Sequence, residues 1–283
     1  MNKQYKLGEL FCGAGGMALG ASLAKAEGAG FAHLWATDMD KDACETFEFN
    51  LEVNHVICDR VENLFFEKLS GIDGLVFGFP CNDFSVVGKR NGISGKYGRL
   101  YEWGVKGLKV LQPTFFVAEN VSGLNSAGSG LDSILIALKE SGYDLHVHTY
   151  RFEEYGVPQA RHRIIIVGFR SDLSIDDYEP PEPTTAENPP TCSAALANIP
   201  VSAYNHERTK QSQQVIDRLS HIKPGENAFN VDLPEHLKLK MKSGAKISQI
   251  YKRLIPDKPA YTVTGSGGGG DACLSLGRTQ GIN

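Results

Sequence analysis

Short apolar runs alternate with helix-like segments from Tyr5 to Phe169, and this alternation restricts the fold more than any other feature of the chain. Such runs are typical of strands buried on both faces, and the segments between them supply covering helices. The strands are predicted at 5–11, 31–37, 55–58, 73–79, 114–118, 144–151 and 163–169, and the helices at 17–27, 40–50, 62–69, 100–111 and 129–141. The pattern therefore predicts an α/β fold with a doubly wound, mostly parallel sheet.

The last two predicted strands are separated by a loop alone. Residues 152–162 are too few for a helical crossover, so we expect these strands to pair antiparallel as a hairpin. The sheet should therefore carry one reversed strand at its edge.

The composition excludes several classes of protein. With 283 residues, 41% of them hydrophobic, the chain can bury a large core and a smaller second one, which excludes a disordered or fibrous protein. No apolar run reaches the roughly 18 residues of a membrane span, and the N-terminus lacks a signal-peptide core. We therefore expect a cytoplasmic protein, and a monomer unless a second polypeptide is required. The six cysteines form no Cys-x-x-Cys pair, so we expect neither a metal site nor a disulfide framework.

The composition changes after residue 172, where we predict a domain boundary. Residues 171–190 contain five prolines and six acidic side chains but no basic one, which is typical of a linker. Domain 1–172 would hold the sheet. Domain 173–283 would be small and irregular, would contact a partner, and would end in the glycine-rich stretch 265–270.

The charge distribution leaves two interpretations open. The net charge of −4 argues mildly against a nucleic-acid partner. However, residues 231–260 contain seven Lys or Arg against three acids, so this stretch could follow a phosphate backbone. The alternative is a solvated helix face.

Three strand ends carry groups that could perform chemistry together. Cys81 follows the predicted strand 73–79, Glu119 ends the next apolar run, and Arg161 and Arg163 flank the start of the last strand. Each has an ordinary structural explanation: a buried thiol, an exposed acid, surface cations. Because ligands bind at the carboxyl ends of strands in open α/β sheets, the combination favours a nucleophile, an acid and two guanidinium groups on one rim.

A glycine-rich loop, 11–16, connects the first strand to the first helix, where the backbone can pass close to a ligand. It is not the dinucleotide fingerprint, because the third glycine position holds Ala18. Asp38 and Asp59 end the next two strands. They could accept hydrogen bonds from a ribose and from an adenine amino group, or they could cap the following helices.

Five motifs, in order, resemble those of the DNA cytosine-5 methyltransferases of bacterial restriction-modification systems. They are Phe11-Cys12-Gly13-Ala14-Gly15-Gly16, Pro80-Cys81-Asn82, Glu119-Asn120-Val121, Gln159-Ala160-Arg161-His162-Arg163 and the stretch 253–263. The resemblance implies a Rossmann-like fold that uses S-adenosyl-L-methionine and releases S-adenosyl-L-homocysteine, with a catalytic domain followed by a target-recognition domain. The substrate would be a flipped cytosine in double-stranded DNA.

The resemblance assigns residues to each part of the site. Catalysis is expected from Cys81, Glu119, Arg161 and Arg163; cofactor binding from Phe11, Gly13, Gly15, Gly16, Asp38, Met39, Asp59 and Pro80; and DNA binding from Ser85, Lys89, Arg90, Lys96, Arg99, Arg253 and Thr262. The Cys81 thiolate would add to C6 of cytosine, Glu119 would protonate N3, Arg163 would donate to O2, and Arg161 would lower the thiol pKa.

Several alternatives keep part of this assignment. A tRNA cytosine-5 methyltransferase would share the chemistry, but the roughly eighty residues before Arg253 favour DNA. The family's final motif, a helix beside the first-loop helix, does not occur before Asn283. We therefore also expect either a further C-terminal segment or a second polypeptide, and a catalytically weak DNA-binding relative stays an alternative. A nicotinamide oxidoreductase is disfavoured by the glycine pattern.

Overall fold

A computed structural model describes residues 3–24, 28–80, 99–122, 130–175, 177–200, 202–204, 211–239 and 251–263. The chain forms two compact units. One consists of Met1–Tyr150 and His162–Pro180, and the other of Arg151–Arg161 and Pro181–Asn283. The first unit thus extends past residue 172, and a short excursion before the last strand belongs to the second unit. The assignment of functions to domains 1–172 and 173–283 stays a prediction.

The first unit is built on a seven-stranded sheet. Its strands are β1 (Lys3–Leu10), β2 (Ala29–Asp38), β3 (Val53–Cys58), β4 (Gly74–Phe77), β5 (Phe115–Val121), β6 (Tyr143–Arg151) and β8 (His162–Arg170). They lie in the order β3-β2-β1-β4-β5-β8-β6. The first five are parallel to one another, so their carboxyl ends meet at one rim.

The reversed strand lies one position inside the edge. β8 runs antiparallel to β5, and β6 occupies the edge of the sheet beyond it. Burial explains the order, because Ile164 and Ile166 of β8 are buried whereas most of β6 is half-buried or exposed. An apolar strand buries most of its surface when it lies between two other strands, whereas a polar strand can occupy the edge of the sheet, where it meets water. The predicted α/β class is confirmed, with the reversed strand placed one position further in.

Four α-helices follow strands of this unit in the described part of the chain. They are α1 (Gly16–Leu23), α2 (Lys41–Asn50), α3 (Tyr101–Leu111) and α4 (Gly130–Lys139). The helix predicted at 17–27 is shorter, because Ala24 is already extended. The helix predicted at 62–69 is wrong: two separate 3-10 turns, Val61–Asn63 and Phe66–Lys68, occupy this stretch. Here Leu64 and Phe66 are buried while Phe65 is exposed, a spacing that one α-helical face does not provide.

The main core packs α3 and α4 against the sheet and fixes the strand ends of the rim. Phe77 of β4 stacks on Phe116 of β5, with ring centroids 5.7 Å apart. A Cβ at Gly168 of β8 would lie 2.0 Å from the Phe116 ring, so only glycine lets this ring lie against the reversed strand. The same packing therefore keeps β4, β5 and β8 in register with one another, and these are the strands that lead to or carry Gly78, Glu119 and Arg163.

The second unit has its own small core, and its described residues contain little regular structure. Its elements are α5 (Cys192–Leu196), α6 (Gln213–Ser220), and a parallel ladder between β7 (Gln159–Ala160) and β9 (Ala260–Tyr261). Ile222, Leu233, Leu237 and Tyr251 form one buried cluster. The β7–β9 ladder joins positions about a hundred residues apart in sequence, which closes the unit on itself.

Candidate active site

The loop after β1 has positive φ angles, which residues other than glycine rarely adopt. Phe11, Gly13 and Gly15 have φ values of 57°, 52° and 93°. Gly15 caps α1, and a Cβ there would lie 2.3 Å from Cδ1 of Leu51. At Gly13 a Cβ would meet nothing within 4 Å. The loop is therefore packed tightly on the Gly15 side and open on the Gly13 side, where a ligand could approach the backbone.

Asp38 holds this loop against the end of β2. Its Oδ2 accepts a hydrogen bond from the N–H of Gly13 at 2.9 Å, and its Oδ1 accepts one from the N–H of Asp40 at 3.0 Å. The alternative in which Asp38 caps α2 is wrong, because the N-cap is Asp40, whose side chain accepts from Ala43 at 2.9 Å. Asp38 is therefore a loop-organising acid at the strand end.

Asp59 has a more local set of partners. Its Oδ1 accepts from the backbone N–H of Arg60 at 2.7 Å and from Nδ2 of Asn63 at 2.8 Å. The capping alternative thus has support at this position, although the formal N-cap of the following turn is Arg60. These contacts fix the carboxylate without using its second oxygen.

A cavity of about 560 Å³ lies at the rim formed by these strand ends. Five of the predicted cofactor residues line it: Phe11, Asp38, Met39, Asp59 and Pro80. Sequence reasoning did not identify the remaining lining residues, which are Thr37, Asp40, Arg60, Val61, Glu62, Gly78 and Leu100. Most of them directly follow β2 or β3. Their position next to Asp38 or Asp59 is the sequence feature that could have identified them. The volume is in the range typical of small-molecule sites.

The predicted acid and one predicted arginine lie together at the same rim. Nε of Arg163 is 2.6 Å from Oε1 of Glu119, and both side chains are largely buried. Residues Glu119 and Arg163 are diagonal neighbours across the β5–β8 ladder, where Val121 stands opposite Arg163. The contact is an ion pair in which the Nε–H is not aimed at the oxygen. Arg163 also donates from Nη1 to the carbonyl of His162 at 2.8 Å.

Gly78 provides space beside this pair. A Cβ at this position would lie 3.4 Å from Oε2 of Glu119 and 3.3 Å from Cε of Met17. The glycine backbone, the carboxylate and the thioether therefore share one small region. Because Gly78 also lines the cavity, the Glu119 carboxylate lies close to the proposed cofactor space. Met17 and Gly78 were not predicted as site residues, since nothing in their local sequence marks this three-dimensional contact.

The thiols beside the cavity are poor nucleophiles. Burial raises the pKa of Cys12 far above its usual range, and the nearby carboxylates of Glu9 and Asp38 add to the effect. Burial, together with the neighbouring Cys58, raises the pKa of Cys44 to about 11. Both groups are therefore protonated thiols at neutral pH.

Three predicted residues belong to the second unit and have defined backbone or side-chain contacts there. The carbonyl of Arg161 accepts from the N–H of Phe152 at 3.0 Å, next to β7. The hydroxyl of Thr262 donates to the carbonyl of Ala160 at 2.8 Å. This bond extends the β7–β9 ladder by one residue, so Thr262 has a structural function in addition to any contact with DNA. The catalytic role of Arg161 stays a prediction.

Arg253 does not lie where a phosphate contact would require it. The residue is only 6% exposed, and its Nη1 donates to the carbonyl of Ile222 at 2.8 Å. Its backbone pairs with Gly225 and Glu226, at 3.0 and 2.9 Å. The guanidinium therefore stabilises the turn between residues 222 and 226, and we correct its assignment from DNA binding to the framework of the second unit. The basic composition of 231–260 could not distinguish a buried cation from a surface one.

The remaining predicted DNA contacts are mostly outside the described residues. Arg99, just before α3, is exposed and forms an ion pair with Glu102, with Nε 2.8 Å from Oε1. Ser85, Lys89, Arg90 and Lys96 lie outside the described residues, as does the predicted nucleophile, Cys81. Over the described ranges, no group of three or more His, Cys, Asp or Glu could hold a metal ion, and none of the helices has the length and apolar character of a membrane span.

Comparison with known proteins agrees with this geometry. The profile of the family described as C-5 cytosine-specific DNA methylase matches residues 5–267. The Type II methyltransferase M.BbvI of Brevibacillus brevis is 49% identical over 94% of this chain and 76% of its own length. M.NgoFVII of Neisseria gonorrhoeae, also a Type II methyltransferase, is 36% identical over 94% of this chain and 71% of its length.

One solved structure shares the fold. A candidate DNA modification methyltransferase encoded within an Escherichia coli prophage superposes with a TM-score of 0.66. It covers 91% of this chain and 82% of its own, at 22% identity. The family profile spans nearly the whole described chain, and the two relatives are similar over most of their length. The chain therefore belongs to the C-5 cytosine-specific DNA methylase family and is a DNA (cytosine-5)-methyltransferase of the restriction-modification type.

Proposed function

We propose that the protein transfers a methyl group from S-adenosyl-L-methionine to carbon 5 of a cytosine flipped out of double-stranded DNA. The transfer proceeds through a covalent bond between Cys81 and C6 and leaves S-adenosyl-L-homocysteine. One observation carries the proposal: Glu119, which pairs with Arg163, lies beside Gly78, and Gly78 lines the same cavity as Asp38 and Asp59. An acid, a cation and an adenosyl-type pocket thus share one strand-end rim.

The cavity has the groups that an adenosyl sulfonium requires. Phe11 and Met39 provide apolar surfaces for the adenine, and Asp59 has an oxygen left for its amino group. Asp38 faces the cavity while holding Gly13, so its carboxylate can meet ribose hydroxyls and keep the loop close to the ligand. Gly15, Gly16 and Pro80 shape the two loops at the rim. When bound, S-adenosyl-L-methionine supplies an electrophilic methyl group.

The chain's own residues make carbon 5 reactive. A cytosine C5 is too electron-poor to attack a methyl sulfonium, and addition of the Cys81 thiolate at C6 removes that barrier. Glu119 supplies a proton to N3 as negative charge develops there, and Arg163 donates to O2. Arg161 lowers the pKa of the thiol. After the transfer, a base removes the C5 proton and the Cys81–C6 bond breaks, which restores the thiolate.

Two parts of the chain would take part in DNA recognition: a set of mostly cationic residues and the second unit. The base must leave the duplex, because C6 and C5 cannot be attacked inside the stack. Ser85, Lys89, Arg90, Lys96 and Arg99 would contact the backbone around it, and the second unit would read the sequence. The alternative substrate is tRNA.

A further segment or second polypeptide would cover the outer face of α1. The support is that Leu19 and Leu23 of this helix are 50% and 66% exposed. Covering them would remove apolar surface from water and would stabilise the cofactor loop that precedes the helix. A dimer between two copies of the chain is the simplest competing explanation for an exposed apolar helix face.

The proposed function is tested by methyl transfer from tritiated S-adenosyl-L-methionine to unmethylated plasmid DNA and to tRNA. We expect label in 5-methylcytosine of the DNA, no label in tRNA, and no transfer by a Cys81→Ala variant. DNA containing 5-fluorocytosine should form a denaturation-resistant complex with the native chain, since elimination is then blocked. Label in tRNA alone, or a stable complex with the Cys81→Ala variant, would contradict the proposal.

A further inference from the structure

Two cysteines lie together next to the acids that line the cavity. Cys44 is in the first turn of α2, is 3% exposed, and donates from Sγ to the carbonyl of Asp38 at 3.5 Å. Cys58 is the last residue of β3, stands opposite Asp38 in the β2–β3 ladder, and is exposed. Both cysteines therefore border one backbone position, the end of β2.

The alternation of side chains places both thiols on the same side of the sheet. Val56, two residues before Cys58, packs in a small buried cluster with Phe47 of α2. Because residues i and i+2 of a strand share a face, Cys58 points toward α2 as well. Cys44 precedes Phe47 by three residues, so these two side chains share a face of the helix. The Cys58 thiol is accordingly a hydrogen-bonding neighbour of the Cys44 thiol.

The surroundings of the two thiols are different. Cys58 is exposed, so a small oxidant can reach it. Cys44 is buried and its pKa is raised to about 11, so a peroxide does not attack it directly. Its place beside Cys58 offsets the small thiolate fraction, because the reacting sulfur atoms are already neighbours. Redox-sensing cysteines commonly combine an accessible thiol with a second thiol that reacts with the oxidised first one.

We propose that Cys44 and Cys58 form a reversible disulfide in response to hydrogen peroxide, and that this disulfide weakens binding in the cavity. The Cys58 sulfur loses its proton and attacks one peroxide oxygen, the O–O bond breaks, and the released hydroxide takes up the proton as water. The Cys44 sulfur then displaces hydroxide from the sulfenic acid of Cys58, and the Cys44 proton leaves with it as a second water. A dithiol reductant reverses the change by exchange.

The disulfide would change the relative position of the two acids at the rim. Bonded sulfur atoms lie much closer than hydrogen-bonded thiols, so one segment has to move. The exposed end of β3 moves more easily than the buried first turn of α2, and Asp59 and Arg60, which line the cavity, follow Cys58 directly. The N–H of Asp59 donates to the Asp38 carbonyl at 3.0 Å, the acceptor that Cys44 also uses. The expected effect on the cofactor rests on the proposed function.

One tryptic peptide reports on the modification. Residues 42–60, released by cleavage after Lys41 and Arg60, contain both thiols and no other cysteine. We expect peroxide to convert this peptide to a form that is two hydrogen atoms lighter and resists alkylation, and dithiothreitol to restore it. In a Cys44→Ser variant the reaction should stop at a sulfenic acid of Cys58, which dimedone traps. In a Cys58→Ser variant Cys44 should stay reduced.

Calorimetry with S-adenosyl-L-methionine measures the consequence for binding. The peroxide-treated native chain is compared with the peroxide-treated Cys58→Ser variant, so that oxidation of other thiols affects both equally. We expect about tenfold weaker binding by the treated native chain, and untreated forms that agree within about twofold. Cys192→Ser is the control, because Cys192 is also a buried thiol that donates to a carbonyl, that of Ile255 at 3.1 Å. It should respond to peroxide as the native chain does.

A peptide 42–60 that forms no disulfide under peroxide would overturn the inference. So would a disulfide that leaves the affinity within about twofold of that of the treated Cys58→Ser variant. If the reduced native chain binds no S-adenosyl-L-methionine but the disulfide forms, the proposed function fails and the thiol pair stands as a modification site. If the chain binds the cofactor and no disulfide forms, the proposed function stands and the thiol pair fails.

Discussion

The Oδ2 of Asp38 accepts the N–H of Gly13 at 2.9 Å, which joins the end of β2 to the ligand loop after β1. Its Oδ1 holds the backbone of Asp40, so the two oxygens fix two segments that line or border the cavity. The carboxylate therefore acts before any ligand arrives, because it sets the loop in the conformation that the ligand meets.

Asp38→Asn should weaken S-adenosyl-L-methionine by about tenfold or more. An amide keeps one acceptor oxygen but turns an N–H₂ toward one of the two backbone donors, and a hydrogen bond to a charged group contributes about 1.5–3 kcal/mol. Calorimetry measures the affinity. Asp42→Asn, an exposed acid in the first turn of α2, is the matched control. Unchanged affinity in the Asp38 variant would show that the loop is organised in another way.

Gly78→Ala should slow methyl transfer while the protein stays folded. The new methyl group would approach Oε2 of Glu119 and Cε of Met17 at 3.4 and 3.3 Å. The contact with Cε of Met17 is tight by a few tenths of an ångström, whereas that with Oε2 is an ordinary van der Waals contact, so the new methyl group mainly occupies the space beside the carboxylate. We expect a loss in kcat of about tenfold or more and a nearly unchanged Tm. Gly20→Ala, in the open middle of α1, should retain full activity and be slightly more stable.

Gly15→Ala should destabilise the first unit more than Gly13→Ala. Both residues have positive φ, which costs an alanine about 1–2 kcal/mol. At Gly15 the Cβ would also lie 2.3 Å from Leu51, and overpacking adds about 1–3 kcal/mol. Chemical denaturation gives the two free energies of unfolding. Equal losses would mean that the Leu51 contact relaxes without cost.

Glu9→Gln should stabilise the protein at pH 8 more than at pH 5. Glu9 is fully buried, 3.1 Å from Nε2 of His33, and burial raises its pKa above the usual 4.5 in spite of the histidine. The proton is therefore held more tightly in the folded state, so this contribution to stability is complete below 4.5 and is lost as the pH rises through the folded pKa.

Glutamine has no proton to lose, so the variant should avoid that loss. Melting curves at the two pH values measure the difference, and Glu45→Gln, an exposed partner of Lys41, should show none. A Glu9→Gln variant that melts lower at pH 8 would instead indicate that an ionised pair with His33 stabilises the fold.

Local pattern was enough to predict most of the sheet and part of the site. Runs such as Gly74–Phe77 are apolar on both faces, so short uninterrupted apolar stretches identify them, and Asp38 and Asp59 were found from their positions at strand ends. The ladder between Gln159–Ala160 and Ala260–Tyr261 could not be found in this way, because two-residue strands carry no periodic signal. The position of a charge within a fold is also non-local. Arg253 looked like a surface cation in sequence, yet its partner is the carbonyl of Ile222.

The placement of β8 between β5 and β6 has a consequence for the order in which the candidate site is assembled. Arg163 is near the start of β8 and meets Glu119 only when that strand has entered the gap beside β5. During synthesis the first five strands can assemble beforehand, because their neighbours are already made. Glu119 therefore has no contact with Arg163 until β8, the last strand of the sheet to be synthesised, is inserted. A ribosome-bound chain that ends before residue 162 should hold a partial sheet without the Glu119–Arg163 ion pair, so the last step of sheet formation completes this part of the rim.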